Sequence, residues 1–251
     1  MMTTAVTADT LDQALDRLLA RADAYRLLAA AFRDPDGPLA APLEIDDLVS
    51  ALAALGLPVA GAERTSLDAA AGLTERAAEH RRLFGHTVAH GCPPYETEYG
   101  RRHVFGQAQE LGDVSGFYGA FGLRPAPGGE RPDHLACELE FLAVVALKEA
   151  YALSRGDAAP AEVARAAAAA FLRDHLGRWA PAFASLAVRR GPGTGYAVLA
   201  SLAARLVADH AAELAVAPER LGPGHLRPVE GEPDGFNFAC GVDEADPPIP
   251  G

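Results

Sequence analysis

With 251 residues, 49% of them apolar, the chain is long enough to bury a sizeable core. Aromatic residues make up only 7% of it, and Ala and Leu outnumber the β-branched residues, which favours helices over strands. The formal charge of -12 argues against non-specific binding to nucleic acid or to an anionic membrane surface, since both need an excess of Lys and Arg, and it suits a cationic partner.

Apolar residues recur at helical spacing from Leu11 to Leu214. The pattern predicts an all-α protein, a single compact bundle of about seven to eight helices. The predicted helices span about 11–32, 44–55, 65–84, 104–121, 161–176, 179–188 and 196–214, and a further helix begins at Pro132 or Asp133. Thr65 and Asp68 have the spacing of a capping box at the start of the third helix.

The third and fourth predicted helices each carry one unusual feature. His80 falls on the apolar stripe of the third helix, where it is either a core histidine with one hydrogen-bonded nitrogen or a ligand-binding group. The fourth helix contains Gly106, Gly112, Gly116 and Gly119. Because each glycine in a helix interior costs up to about 1 kcal/mol, they predict close helix contact or a bent element.

Residues 85–102, between these two helices, show no helical period. The loop is longer than the roughly two to eight residues that usually connect bundle helices. It contains the run Cys-Pro-Pro-Tyr-Glu-Thr-Glu-Tyr from Cys92 to Tyr99, which combines proline, aromatic and carboxylate groups. Long ordered loops of this kind often carry function.

The helix that follows the next turn has two faces that are mostly apolar, which predicts a central position in the bundle. One face holds Leu135, Leu139, Leu142 and Ala146, and the other holds His134, Glu138, Phe141 and Val145. Beyond Val216 the composition changes to proline, glycine and acidic residues. We therefore divide the chain into a helical domain, 1–214, and an extended C-terminal tail, 215–251, in which Phe236–Cys240 either docks onto the body or is a linker.

The N-terminal residues and the cysteines bear on location and chemistry. Residues 1–10 have neither the basic region nor the apolar core of a secretory signal, and no segment approaches the roughly 18 apolar residues of a membrane span. We therefore expect a cytoplasmic protein without stable membrane insertion. Cys92, Cys137 and Cys240 form no C-x-x-C pair, so neither a disulfide framework nor a zinc ribbon is indicated.

A metal-dependent enzyme is the alternative that the residues leave open. His134, Cys137 and Glu138 lie on adjacent helix turns and, with His80 or Glu96 nearby, would resemble part of a metal site in a bundle. The chain contains neither the paired Glu-x-x-His motifs of di-metal bundles nor His-Glu-x-x-His. Phosphate-binding glycine loops and the Gly-x-Ser-x-Gly elbow are missing as well, which disfavours nucleotide and hydrolase chemistry.

Two motifs, preceded by a Leu-Phe-Gly segment and taken in this order, resemble a known family. Leu83-Phe84-Gly85 is followed by Pro94-Tyr95-Glu96-Thr97-Glu98-Tyr99, and then by Pro132-Asp133-His134 and its helix. The arrangement resembles the TorD/DmsD/NarJ family of redox-enzyme maturation chaperones over about residues 11–214. The resemblance implies an all-helical chaperone, not an enzyme, without a cofactor or stoichiometric metal of its own.

The resemblance also implies partners and a binding site. Its partners are the twin-arginine signal peptide and the apo catalytic subunit of a molybdenum-cofactor oxidoreductase, with molybdenum-cofactor delivery proteins as further partners. The chaperone holds that subunit until its cofactor is inserted, and export follows. The leader-binding residues carry over to His80, Leu83, Phe84, Glu96, Tyr99, Asp133 and His134. Position 80 departs from the family pattern, in which an aromatic ring is common.

Elementary chemistry is compatible with this hypothesis. A twin-arginine leader has a cationic region followed by a short apolar one, so its receptor needs an apolar groove beside carboxylates. Leu83, Phe84 and Tyr99 are candidates for the groove, and Glu96, Glu98 and Asp133 for the carboxylates, with Pro94, Cys137 and Glu138 as secondary candidates. The alternatives are that Leu83 and Phe84 are core, Asp133 a helix cap and Glu98 a solvated charge.

If Glu96 and Asp133 bind the leader, replacing both by Ala should weaken binding and leave the melting temperature nearly unchanged.

Overall fold

The computed structural model describes residues 8–85, 92–100, 106–127 and 129–222. These residues form nine α-helices, which confirms the all-α prediction. The helices are α1 (Ala8–Phe32), α2 (Ile45–Ala54), α3 (Gly61–Ala69), α4 (Leu73–Phe84), α5 (Gly106–Ala120), α6 (Leu135–Ser154), α7 (Ala158–Asp174), α8 (Leu176–Arg190) and α9 (Gly195–Glu213). A short 3₁₀ turn spans Glu96–Glu98.

The ninth helix arises because the predicted third helix is two helices, α3 and α4, with a break at residues 70–72. The predicted capping box of Thr65 and Asp68 is wrong. α3 begins four residues earlier than predicted, where Glu63 Oε2 accepts from the backbone N–H of Ala60 at 2.8 Å. Thr65 therefore lies inside α3, and its hydroxyl donates to the carbonyl of Gly61 at 3.0 Å.

Helix α6 buries both of the apolar faces that the sequence assigns to it. It packs along α1 on one side and forms an antiparallel hairpin with α7, while α8 and α9 form a second pair. Both predicted faces are buried, including the carboxyl group of Glu138, which is 0% exposed. The helix begins at Leu135, two or three residues later than predicted, because His134 is its N-cap.

Helix α5 is attached to the body through one aromatic face. Phe117 packs edge-on against Phe171 at 5.3 Å between ring centroids, and Tyr118 contacts Phe141, also at 5.3 Å. Along the helix Ala108 is exposed, whereas Val114 is fully buried. The other face of α5 is therefore left uncovered by the described residues.

The first residues after α9 return to the body. In this C-terminal segment, residues 215–222, the backbone N–H of Val216 donates to Ala211 at 2.8 Å and that of Leu221 donates to Arg178 at 2.9 Å. Pro218 lies against Gly177, where an added Cβ would come within 2.6 Å of the proline ring. The rest of the predicted tail, with Phe236–Cys240, lies outside the described residues. Among the described helices, none is both long and apolar enough to span a bilayer.

Candidate functional site

The two sequence motifs meet in space. The backbone N–H of Glu96, in the 3₁₀ turn, donates to the carbonyl of Asp133 at 2.9 Å, and that of Leu135 donates to Pro94 at 2.8 Å. Tyr95 and His134 form an isolated antiparallel bridge between these bonds. The loop is thus fastened to the start of α6, so both motifs belong to one site.

Asp133 is the acceptor that holds this junction together. Its carboxylate is 0% exposed and accepts from the backbone N–H and the hydroxyl of Thr97, at 3.2 and 2.7 Å. Arg131 completes the network with two hydrogen bonds to the same carboxylate, at 2.9 and 2.7 Å. The guanidinium also lies over the Tyr95 ring, 4.4 Å from its centroid. Asp133 therefore positions the 3₁₀ turn and has no open face toward a ligand.

His134 caps α6, a role that sequence reasoning had considered for Asp133. Its Nδ1 accepts from the backbone N–H of Ala136 at 3.1 Å, and its ring is 2% exposed. Burial lowers the pKa of His134 to about 3, so the imidazole is neutral at physiological pH. A neutral ring is what the cap requires, since Nδ1 must keep its lone pair.

A buried carboxyl pair lies beside the cap. Trp179 donates its indole N–H to Glu138 Oε2 at 3.1 Å, whereas no described group donates to Oε1. Burial first, and then the charge of Glu96, raise the pKa of Glu138 well above its usual range. The raised pKa favours the protonated form of the Glu138 carboxyl group, next to the Glu96 side chain. Glu96 in turn contacts His175 Nδ1 at 3.1 Å.

The raised pKa of Glu138 predicts how stability depends on pH. The pKa of Glu138 rises on folding from an unfolded value of about 4.3, so the contribution of this group to stability is full below about pH 4.3 and is lost as the pH rises toward the folded pKa. Gln is neutral in both states and keeps a donor for Glu96. We expect the free energy of unfolding of Glu138→Gln, relative to wild type, to increase as the pH rises from about 4 to about 8.

Urea unfolding at several pH values measures this difference. Glu140→Gln is the control, because Glu140 is on the same helix with a side chain that is 52% exposed, and its effect should not vary in this way. A constant difference between Glu138→Gln and wild type across the range would show that Glu138 is ionised in the folded protein.

The apolar candidates lie in the core. Leu83, Phe84 and Tyr99 are only 2%, 5% and 2% exposed. Phe84 packs against the aromatic rings of Phe32, His80, Phe183 and Tyr196. The Tyr99 ring lies 5.2 Å from that of Trp179, and its hydroxyl donates to the carbonyl of Pro93. His80 is half-buried, and burial lowers its pKa.

The secondary candidates do not converge on one point. Pro94 is buried and serves as a backbone acceptor, while half-buried Glu98 lies 3.6 Å from Arg131. The Cys137 thiol faces the carbonyl of Glu130 at 3.9 Å and lines a separate apolar pocket of about 350 Å³. In the part of the chain that the structure describes, no three His, Cys, Asp or Glu side chains are grouped to hold a metal ion.

Glu96 opens onto a large groove of about 960 Å³. Three elements form its walls: α5, the junction of α7 and α8, and the C-terminal segment 215–222. The lining side chains and backbone belong to Glu96, Glu110, Gly112, Asp113, Gly116, Phe117, Ala120, Arg173, Asp174, His175, Arg178, Ala217 and Glu219. An adjoining cavity of about 570 Å³ shares Glu96 and adds Tyr99.

The groove is acidic. Five of its residues are Asp or Glu and two are Arg, and Arg173 is paired with Asp174 at 2.8 Å between Nε and Oδ1. That pairing lowers the pKa of Asp174, so its carboxylate stays charged. Sequence reasoning found only Glu96 among the groove residues. The exposed charged residues of the groove were missed because exposed charges carry no periodic signal. The glycines of α5 were noticed in the sequence but not as part of a site.

One of the two roles expected for these glycines, close helix contact, does not apply to three of them. A Cβ added at Gly112, Gly116 or Gly119 would meet nothing within 4 Å, so no close helix contact explains them. Gly112 and Gly116 instead line the groove, one turn apart, followed by Ala120.

Comparison with protein families places the chain beside a known one. The family model described as nitrate reductase delta subunit matches residues 39–185. That range includes the 3₁₀ turn, the start of α6, the whole of α5 and the junction of α7 and α8. No curated protein matches the chain.

Proposed function

Because the matched residues make up more than half of it, the chain belongs to the nitrate reductase delta subunit family of molybdoenzyme maturation chaperones, and we propose that it binds the twin-arginine signal peptide of its client. Members of the family assist the catalytic subunit of a molybdoenzyme and are not themselves enzymes. This finding overturns the alternative of a metal-dependent enzyme using His134, Cys137 and Glu138. It confirms the resemblance that the two motifs carried.

In this proposal the protein is a TorD/DmsD-like chaperone that acts in the cytoplasm. It binds the leader and the apo form of the catalytic subunit, keeps that subunit from export, and releases it when the molybdenum cofactor has been inserted. Molybdenum-cofactor delivery proteins would be further partners at that step. The chaperone contributes binding and needs no chemistry of its own.

The observation that carries the proposal is the acidic groove with Glu96 at its floor. Glu96 belongs to the loop motif, and its carboxyl group is 7% exposed, beside His175 in the groove of about 960 Å³. Arginine suits such a wall because its guanidinium pairs with a carboxylate through two parallel hydrogen bonds. Half-buried Phe117 supplies apolar surface within the same groove for the residues that follow the arginines.

Calorimetric titration with a synthetic peptide tests the proposal. The peptide contains two adjacent arginines followed by an apolar segment, and a matched peptide has two lysines in their place. We expect the arginine peptide to bind more tightly, because lysine is a point charge without the planar fork. Its affinity should fall about tenfold between about 0.05 M and about 0.5 M salt, since two or three partly exposed ion pairs are screened.

Two results would count against the proposal. One is no binding of the arginine peptide to the folded wild-type chain at low salt. The other is equal affinity for a scrambled peptide of the same composition, which would indicate charge attraction without recognition.

A further inference from the structure

The uncovered face of α5 is shaped for close approach by another backbone. Gly112, Gly116 and Ala120 follow one another at four-residue spacing along the groove, and all three are exposed. A Cβ atom added at either glycine would meet no neighbouring atom within 4 Å. Glycine disfavours a helix interior, and nothing within the described molecule requires it there. The small residues leave room for an external chain.

The contacts that α5 makes with the body fix the direction in which this surface points. Phe117 packs edge-on against His175 at 5.3 Å and against Phe171, also at 5.3 Å. The Tyr118 hydroxyl donates to the carbonyl of Pro132 at 2.7 Å, next to the junction of the two motifs. The helix is therefore held with its small residues toward the groove.

Two carboxylates flank this surface on different walls. Asp113 lies on α5, and Glu219 lies on the C-terminal segment 215–222; both are exposed and both line the groove. Within the described residues, neither carboxylate makes a hydrogen bond or an ion pair. Asp174 and Glu96 differ in this respect, because they are engaged by Arg173 and His175.

We propose that an extended cationic segment with two adjacent arginines lies on the Gly112–Gly116–Ala120 face, with one guanidinium on Asp113 and the other on Glu219. Successive side chains of an extended chain point in opposite directions, so two adjacent arginines need acceptors on two different walls. The groove provides one unpaired carboxylate on each of two walls. This inference rests on the proposed function and identifies the residues that would read the arginine pair.

Gly116→Leu is the decisive variant. Leucine favours helix more than glycine does and meets no atom within 4 Å of its Cβ, so the melting temperature should rise by about 2 °C. At the same time its side chain fills the proposed contact surface, and we expect affinity for the arginine peptide to fall at least about tenfold. Gly119→Leu is the matched control: Gly119 is equally open but does not line the groove. That variant should gain stability and keep wild-type affinity.

Asp113→Asn and Glu219→Gln test the arginine contacts separately. Each should weaken binding of the arginine peptide about three- to tenfold, and each should narrow the difference between the arginine and lysine peptides. Both residues are exposed, so circular dichroism and melting temperature should remain those of wild type.

The outcomes separate this inference from the proposed function. If the wild type does not bind the peptide, the proposed function fails. If the wild type binds and Gly116→Leu binds equally well, or if Gly119→Leu weakens binding as much, the α5 surface is not the contact and the function stands. Loss of fold in Gly116→Leu would leave the two carboxylate variants to decide, and wild-type affinity in both would overturn the inference.

Discussion

Phe84→Ala is expected to lower the free energy of unfolding by about 3–5 kcal/mol, the range for removing a buried phenylalanine. Phe84 is 5% exposed and touches four other rings from α1, α4, α8 and α9. The substitution therefore leaves a cavity where several helices meet, and the neighbouring rings cannot all move to fill it. Urea unfolding followed by circular dichroism measures the loss.

The control for Phe84→Ala is Leu73→Ala, which removes an apolar side chain from the same helix at a site that is 50% exposed. It should cost less than about 0.5 kcal/mol. Peptide binding is then compared at a temperature where Phe84→Ala is folded. Wild-type affinity per folded molecule would assign Phe84 to the core. A loss of affinity with near-wild-type stability would indicate that Phe84 contacts the leader peptide.

Asp133→Ala is expected to destabilise the protein by about 3 kcal/mol and to lower the melting temperature by about 6–12 °C. The substitution leaves the backbone N–H and the hydroxyl of Thr97 without their acceptor and removes both hydrogen bonds from Arg131. This revises the expectation from the sequence that the melting temperature would stay nearly unchanged. Differential scanning calorimetry gives the shift directly.

Glu98→Ala is the matched control for Asp133→Ala, since it removes a carboxylate from the same turn, 3.6 Å from the same arginine. Its cost should be within about 1 kcal/mol, because Arg131 is 39% exposed and water screens the pair. Equal costs for the two variants would mean that the Asp133 network does not hold the turn. Asp133→Asn keeps one acceptor oxygen, so its free-energy cost should lie between those of Asp133→Ala and Glu98→Ala.

The fold was largely predictable from the sequence because its helices bury continuous stripes. α6 shows this best: two apolar faces predicted a central helix, and both are buried. The break between α3 and α4 was not predictable from periodicity, because Leu67, Ala70 and Ala77 are all buried and keep the apolar pattern across it. The one signal was Gly72, which is the N-cap of α4.

The candidate site was predictable only in part, for a different physical reason. The two motifs mark the junction of the 3₁₀ turn with α6. Buried polar residues there must satisfy one another's hydrogen bonds, and such residues are distinctive in type. The groove beside it is built from exposed residues of α5, α7, α8 and the C-terminal segment. Their meeting depends on tertiary packing. Glu219 illustrates the limit, because it lies in what the composition had assigned to an extended tail.

The indole of Trp179 gives the buried junction an optical consequence. It is the one tryptophan in the chain, it is 0% exposed, and it joins Glu138 to the ring of Tyr99. All tryptophan emission therefore comes from a single environment directly beneath the 3₁₀ turn, with a carboxyl group at the indole nitrogen. The native protein thus contains its own fluorophore at this position. Quenching or spectral shifts of its emission report on the packing of the 3₁₀ turn without an added label.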